Sequence, residues 1–416
     1  MKRLIKSVIF LMVANGFAQQ TFSLQECYRL IENNYPLVQQ YYLLEKQNAL
    51  DLKVIETDRL PSMAFAAQAT YQSDVVEVPI PNAEIAPLNK DQYRATLSIN
   101  QLIYDGGTLD IASQIKSAVL ETKKKQVEVH LYQLKKQINQ LYFSVLLAQE
   151  NKHLLMAITS QLEAKLKEVA SGVKYGTVLP TSDKIIEAEL LRIKQKTIEV
   201  EQNKLSLLQT LTSILGENIP HDTPFVKENI MVFEQNEKNR PEFDLFQLKK
   251  NQIEVSEALL AKKHLPKVFG FATGGYGNPG LNMLDNSFQT FYTVGVKMNW
   301  NVFDWHASKK EQQSLAINKE IIDTEIDVFE INKNIELQQY QSEINKIKAF
   351  ITSDFEIVSL RKQVLLAADS QLKNGVITAS AYLIELTNLY EDENTLAKHE
   401  IQLQLAKANY NITKGN

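Results

Sequence analysis

The sequence predicts a mixed α+β membrane chain, four β-strands set between very long α-helices, and three observations carry that prediction. Two segments alternate apolar and polar residues with period two. Two tracts hold an apolar stripe at three-and-four spacing across many turns. Landmarks of the first half return in the second at a fixed offset: Tyr104-Asp105 and Phe303-Asp304 lie 199 residues apart, as do Gly176 and Gly375. Such self-similarity marks a repeat architecture. Residues 19–215 then read as a first repeat (helix, two strands, long helix, short helix), 216–239 as a linker and 240–416 as a second repeat.

Residues 1–18 read as a secretory signal peptide. Lys2, Arg3 and Lys6 precede an apolar run from Val8 to Ala14, and Gly16-Phe17-Ala18 gives a small-x-small ending with cleavage expected after Ala18. Removing those three charges takes the formal charge from −4 to −7, and a mildly acidic exported chain argues against nucleic acid as a partner. No later stretch approaches the roughly 20 apolar residues of a membrane helix, so a β-barrel is the one route across a bilayer. Cys27 is the lone cysteine, which excludes an intrachain disulfide. Leu24, Gln25 and Glu26 before it form no lipobox, and a buried, inert thiol is expected.

Strands are expected at about 63–73, 91–104, 267–277 and 289–303. In the second, Tyr93, Ala95, Leu97 and Ile99 alternate with Arg94, Thr96, Ser98 and Asn100. In the fourth, Tyr292, Val294, Val296, Met298 and Trp300 alternate with Thr293, Gly295, Lys297 and Asn299. One apolar and one polar face fit lipid outside and water inside, and Phe291, Tyr292 and Trp300 fit interfacial aromatics. Four strands cannot close a barrel, and an open edge is not tolerated in lipid. Three copies would supply twelve strands, within the usual range.

Long helices are expected from about Thr108 to Tyr175 and from His306 to Asn374, each roughly 100 Å at about 1.5 Å per residue. The first carries Leu134, Ile138, Leu141, Val145, Ala148, Leu155, Leu162, Leu166, Val169 and Val173 in register, with Lys152 and Thr159 as polar exceptions. The second carries Ile317, Ile321, Thr324, Val328, Ile331 and Ile335. Such stripes need partners of similar reach. The half-length helices Ser182 to Leu215 and Ala381 to Tyr410 are expected to pair end to end with Ser23 to Leu60 or Arg240 to Leu265. Asp105 and Asp304 stand where N-caps are wanted. Gly106-Gly107 relaxes the strand-to-helix turn, whereas Trp305-His306 occupies those positions in the second half, so the glycine turn is not strictly repeated. The 216–239 linker, with Pro220 and Pro224, reads as an irregular belt, and Gly274, Gly275 and Gly277 as strand-end flexibility.

No motif for bond chemistry emerges. His130, His153, His221, His264, His306 and His399 lack zinc-ligand spacing, and His399-Glu400 has no second histidine in place. The glycine-rich stretch Gly270–Gly280 lacks a Lys-Ser/Thr ending, and no G-x-S-x-G occurs. The chain reads as a non-enzyme without cofactor or metal. A secreted coiled-coil adhesion protein with a soluble β region also explains the stripes and signal peptide, but not two β regions interrupting the chain at equivalent positions.

Several motifs occur together and in order: Ser23 to Pro36 (S-L-Q-E-C-Y-R-L-I-E-N-N-Y-P), Leu60-Pro61, Gln101 to Gly107 (Q-L-I-Y-D-G-G) and Gly176 to Glu189 (G-T-V-L-P-T-S-D-K-I-I-E-A-E). In these the chain resembles the TolC-like outer membrane efflux protein family along essentially its mature length. The resemblance implies a homotrimer with a 12-stranded outer-membrane barrel, a 12-helix tunnel into the periplasm and an equatorial belt. It implies a passive channel subunit of a tripartite efflux or type I secretion system, conducting drugs, toxic compounds or exported proteins. The implied partners are a periplasmic adaptor (membrane fusion) protein and an inner-membrane pump of RND or ABC type. It places the periplasmic tip, where the adaptor docks and the channel closes, at Tyr175, Gly176, Thr177, Val178, Leu179 and Asp183, and at Gly375, Val376, Ile377 and Thr378. The barrel-to-helix junctions are Asp105, Gly106, Gly107 and Asp304. One departure stands out: Ala381 and Ile384 hold positions where many relatives carry aspartates. Glu385, the nearest carboxylate, is turned about 100° from its neighbour along the helix.

Overall fold

A computed structural model describes residues 21–76, 87–232 and 240–415. The expected signal peptide lies outside these residues, as does the 233–239 end of the linker. The chain divides into two units, one of residues 39–129 and 241–329, the other of residues up to 38, 130–240 and 330–416.

The first unit holds α2 (Gln39–Thr57), β1 (Ser62–Tyr71), β2 (Asp91–Tyr104), α5 (Pro241–Lys263), β3 (Lys267–Asn278) and β4 (Gln289–Asn299). It also holds the first part of the 67-residue helices α3 (Thr108–Lys174) and α6 (Ala307–Lys373). The strands form one antiparallel sheet in the order β1-β2-β3-β4. Register places Met63, Phe65, Ala67 and Ala69 opposite Ile99, Leu97, Ala95 and Tyr93. Ala272 of β3 stands between Ile99 and Val294, and Gly274 between Leu97 and Tyr292. Most apolar residues of the four strands therefore share a face, as period-two alternation requires, while Phe269, Phe271 and Phe291 lie on the other. On the other face, Ser98 and Thr273 hydroxyls meet at 3.2 Å and Lys297 donates to Asn100 at 3.1 Å.

Gly275, expected to give strand-end flexibility, is instead a packing position, as is Gly295. A Cβ on Gly275 would lie 2.4 Å from the Phe291 ring, and one on Gly295 would lie 2.9 Å from Phe271. Each ring covers a glycine on the neighbouring strand, a cross-strand pairing that pins register. β4 stops at Asn299 rather than reaching 303. Beyond it, the Trp300 indole donates to the His264 carbonyl at 2.9 Å.

The helices of this unit are laced by exposed and half-buried ion pairs. Lys116–Asp51 and Lys124–Glu45 join α3 to α2, Lys125–Asp244 joins α3 to α5, and Lys319–Glu257 joins α6 to α5. Exposed pairs contribute about 0–1 kcal/mol each, so they select neighbours more than they stabilise.

The second unit holds α1 (Leu24–Asn34), the remainders of α3 and α6, α4 (Ser182–Leu215) and α7 (Ala379–Lys414). The helix expected from Ser23 to Leu60 is two helices. Tyr35 leaves the helical region (φ −63°, ψ 137°) and a 3₁₀ turn spans Pro36–Val38. The ring of Pro36 disfavours a helical residue before it, which explains the break. Ser23 caps α1 by accepting from the Glu26 amide. One apolar core joins Leu24, Cys27 and Ile31 to Tyr142 and Leu146 of α3, Leu211 and Leu215 of α4, and Phe225 of the linker. Gln149 holds Phe225 by both backbone groups, and Phe22 and Phe225 form a parallel bridge. The described part of the linker is thus anchored, although irregular. Cys27 is fully buried, and burial pushes its thiol far above the usual range.

The two long helices differ in how they cover their stripes. Along α3, Ile138, Val145, Leu155 and Leu162 are buried within the chain. Along α6, Ile317, Ile321, Val328, Ile331 and Ile335 are exposed.

Candidate functional site

The turn expected at the periplasmic tip joins α3 to α4 inside the second unit. Gly176 takes φ +72°, and the amides of Thr177 and Val178 donate to the Gly172 carbonyl at 2.9 and 3.3 Å. A left-handed glycine after the last turn, with amides folded back on the helix, is how helix ends satisfy their orphan carbonyls. The tight return places Val178 against Gly172, where a Cβ would lie 2.6 Å from its side chain. Gly172 was not among the residues singled out in the sequence. Its signal was a glycine in the last helical turn, which costs about 1 kcal/mol relative to alanine. Tyr175 and Leu179 project outward. Asp183 sits in the first turn of α4, 3.5 Å from the Lys184 ammonium, where a carboxylate favours the helix N-terminus.

The turn between α6 and α7 is shorter. Gly375 takes φ +70°, Val376 is exposed, and Thr378 caps α7 by accepting from the Ala381 amide at 3.2 Å. The two turns are neighbours: a Cβ on Gly375 would lie 3.4 Å from the Thr177 carbonyl. Behind them α3, α4, α6 and α7 share a core that includes Leu162, Val169, Ile186, Leu365, Leu372, Tyr382 and Leu386.

An ion cluster crosses this core. Lys165 of α3, buried to 8% side-chain exposure, pairs with Asp369 of α6 and with Glu168 at 2.6 Å, and lies 5.5 Å over the Tyr382 ring. Lys373 closes the group at 2.9 Å from Asp369. Burial works against the charge on Lys165, but the two carboxylates hold its pKa above the ordinary lysine value. Burial likewise works against the charge of Asp369, and hydrogen bonds from Lys165 and Lys373 keep that carboxyl below its usual range. Glu385 is not a free acidic residue: Arg361 reaches it at 3.4 Å and Asp392 at 2.9 Å, tying α6 to α7. Ile384 is exposed. Between α3 and α4, Met156, Leu190, Leu191 and Ile198 line a groove of about 780 Å³ edged by Glu163, Glu187 and Lys194.

The two strand-to-helix junctions lie in the first unit. Asp105 accepts from the Gly107 and Leu109 amides at 2.9 and 2.7 Å. Burial opposes its charge, yet these amides and the Thr108 hydroxyl hold its pKa below the usual value. Gly106 and Gly107 take φ +71° and +77°, with Leu265 packed against Gly106. At the other junction, Asp304 accepts from the Ser308 hydroxyl and amide, which lower its pKa to about 2, aided by His264 at 3.5 Å. Trp305 and His306 take φ +54° and +61°. The turn is thus repeated in its backbone though not in its glycines, built from residues that disfavour it.

Among the described residues, no group of three or more histidines, cysteines or carboxylates is placed to hold a metal ion. His399 and His221 instead face single carboxylates, Asp354 and Asp222.

No protein-family model matches the sequence, and no curated protein matches it. Solved structures do match in fold. CusC is 10% identical with a TM-score of 0.68, over 94% of this chain and 92% of that one. The Campylobacter jejuni CmeC outer membrane channel is 14% identical with a TM-score of 0.62, over 94% and 85%. The Neisseria gonorrhoeae MtrE outer membrane channel, in its open state, is 13% identical with a TM-score of 0.66, over 94% and 89%. At such identities the likeness shows the fold, and this chain shares the fold of these channel structures.

Proposed function

We propose that this chain is an outer-membrane channel subunit, whose sheet joins those of two further copies in a 12-stranded barrel and whose helices continue the conduit into the periplasm. The observation that carries this reading is the sheet itself. Its apolar face is open, with Phe65 at 73%, Tyr292 at 79% and Val294 at 71% exposure, and β1 and β4 each have one strand neighbour among the described residues. An apolar face of this extent needs a cover, and lipid covers only a sheet without edges. No described helix is long and apolar enough to cross a membrane, which leaves the sheet as the spanning element. The exposed stripe of α6 supports packing against further copies in the same way.

In this reading the residues 19–215 and 240–416 are two repeats, and the linker between them packs at the level where they meet. The turns at 175–183 and 374–378 are the periplasmic tip. A periplasmic adaptor docks near them, with the apolar groove between α3 and α4 suited to an amphipathic helix. An inner-membrane pump supplies energy, and the channel conducts its drugs, toxic compounds or exported proteins passively. The tip opens when adaptor binding favours a splayed packing of the helices over the closed one.

Conductance of purified channel in a planar bilayer tests the function. Discrete openings that Gly375→Leu or Asp183→Ala alters, together with changed affinity for the adaptor, would bear out the tip. An unchanged opening and unchanged affinity in both variants would remove it from the mechanism. Absence of any conductance from folded, inserted protein would remove the channel.

A further inference from the structure

We propose that the junction between β4 and α6 binds anionic phospholipid headgroups, with Trp305 seated at the membrane interface and Lys267, Lys309 and Lys310 supplying the counter-charges. The inference rests on the proposed membrane insertion of the sheet.

Backbone strain points to this junction first. Trp305 and His306 hold consecutive left-handed conformations that L-residues with side chains resist, while glycine fills the two positions after Asp105. A turn alone would be better served by glycine. Strain of this kind persists where a side chain is kept for another purpose. The side chains are on display: Trp305 is 80% exposed, and Phe303 stacks on it edge-on at 4.9 Å while also being exposed. An indole, with an apolar body and one polar N–H, favours the boundary between hydrocarbon and water. Trp305 and Phe303 follow directly from Met298 and Trp300, where the open apolar face of the sheet ends.

Charge is the second, independent observation. Contacts gather the end of α5, the start of β3 and the first turn of α6 at this junction: Lys263 lies 3.4 Å from Glu311, His264 3.5 Å from Asp304, and Lys267 pairs across the sheet with Asn299. Lys262, Lys267, Lys309 and Lys310 share the region and have no carboxylate partner among the described residues. Around the junction after β2 stand Asp58, Arg59, Asp105 and Asp110, with Arg59 bound to Asp110. Lys309, Lys310 and the exposed aromatics set this junction apart, whereas Lys262 and Lys267 border both junctions and the other is flanked by acidic residues and has no tryptophan. Cations beside an anionic surface draw its lipids in. The combination of interfacial aromatics and free lysines fits an acidic headgroup better than a zwitterionic one.

The chain has only two tryptophans, Trp300 and Trp305, so its fluorescence reports on this cluster alone. Trp300→Phe full-length protein, reconstituted in phosphatidylcholine vesicles, would be titrated with brominated phosphatidylglycerol and, separately, with brominated phosphatidylcholine. The expected result is quenching of Trp305 at an anionic mole fraction about fivefold or more below the zwitterionic one. That difference should vanish in Lys267→Gln/Lys309→Gln/Lys310→Gln, with insertion retained. Equal quenching by both lipids overturns the headgroup preference while leaving insertion intact. Absence of quenching by either, in vesicles that still carry the protein on flotation, shows the cluster covered by another copy and also overturns it. Protein that fails to float with the vesicles overturns the insertion reading, and this one with it.

Discussion

The junctions after β2 and after β4 make the same turn with opposite chemistry. Both place an aspartate over the first amides of a long helix, and both follow it with two left-handed residues. After β2 those residues are Gly106 and Gly107, both relaxed, the first closely packed under Leu265. After β4 they are Trp305 and His306, strained and exposed. Backbone geometry is thus fixed by what the chain must do between a strand and a helix. The side chains there are free to serve what lies outside.

The largest effect expected from breaking this comparison is at Gly106. Gly106→Val adds a Cβ 2.7 Å from that of Leu265, at a φ that branched residues resist. A loss of about 3 kcal/mol or more is expected, read as a fall in the denaturation midpoint in detergent. The reciprocal change should go the other way. Trp305→Gly relieves a left-handed residue and should stabilise the detergent-solubilised protein by roughly 1 kcal/mol, while weakening its hold on anionic vesicles. No gain in the midpoint would mean that the strain at Trp305 is already compensated by its contacts.

Loss of the caps should cost less. Asp105→Ala is expected to lower stability by about 1 kcal/mol, measured in the same unfolding assay. Asp304 sharpens the comparison through pH. Its folded pKa of about 2 lies below the ordinary 3.8, so its contribution is present above about pH 4 and disappears as pH falls through 2. The gap in thermal midpoint between the native protein and Asp304→Asn should accordingly narrow as pH falls from about 4 through 2. The smallest effects belong to the exposed pairs, one at each junction. Arg59→Gln and Lys263→Gln should each move stability by about 0.5 kcal/mol or less, and a larger loss would show that these pairs hold the junctions together.

Much of this architecture is legible in the amino-acid sequence. The strands were readable because alternation over Tyr93–Asn100 and Tyr292–Asn299 reflects a sheet with two different surroundings, and the caps because few residues serve as well as aspartate. What could not be read depends on contacts between residues far apart in the chain. Trp305-His306 looked like the loss of a glycine turn, since composition shows preference and not tertiary override. Gly275 reads as slack in the sequence, whereas cross-strand register places a phenylalanine ring over it. Gly172 and Gly176 both serve the turn, but only the second carries the helix-ending signature. Glu385 was visible as a carboxylate, whereas its neutralisation by Arg361, 24 residues away, needs the pairing of α6 with α7. The break at Pro36 has a local cause, since proline disfavours a helical residue before it.

The central claim is that the open edges of this four-stranded sheet are closed by other copies of the chain in lipid. Native mass measurement of detergent-extracted protein tests it most directly. A particle of three chains that resists dissociation until heated is the expected result. A monodisperse single chain, stable in water without detergent, would contradict it.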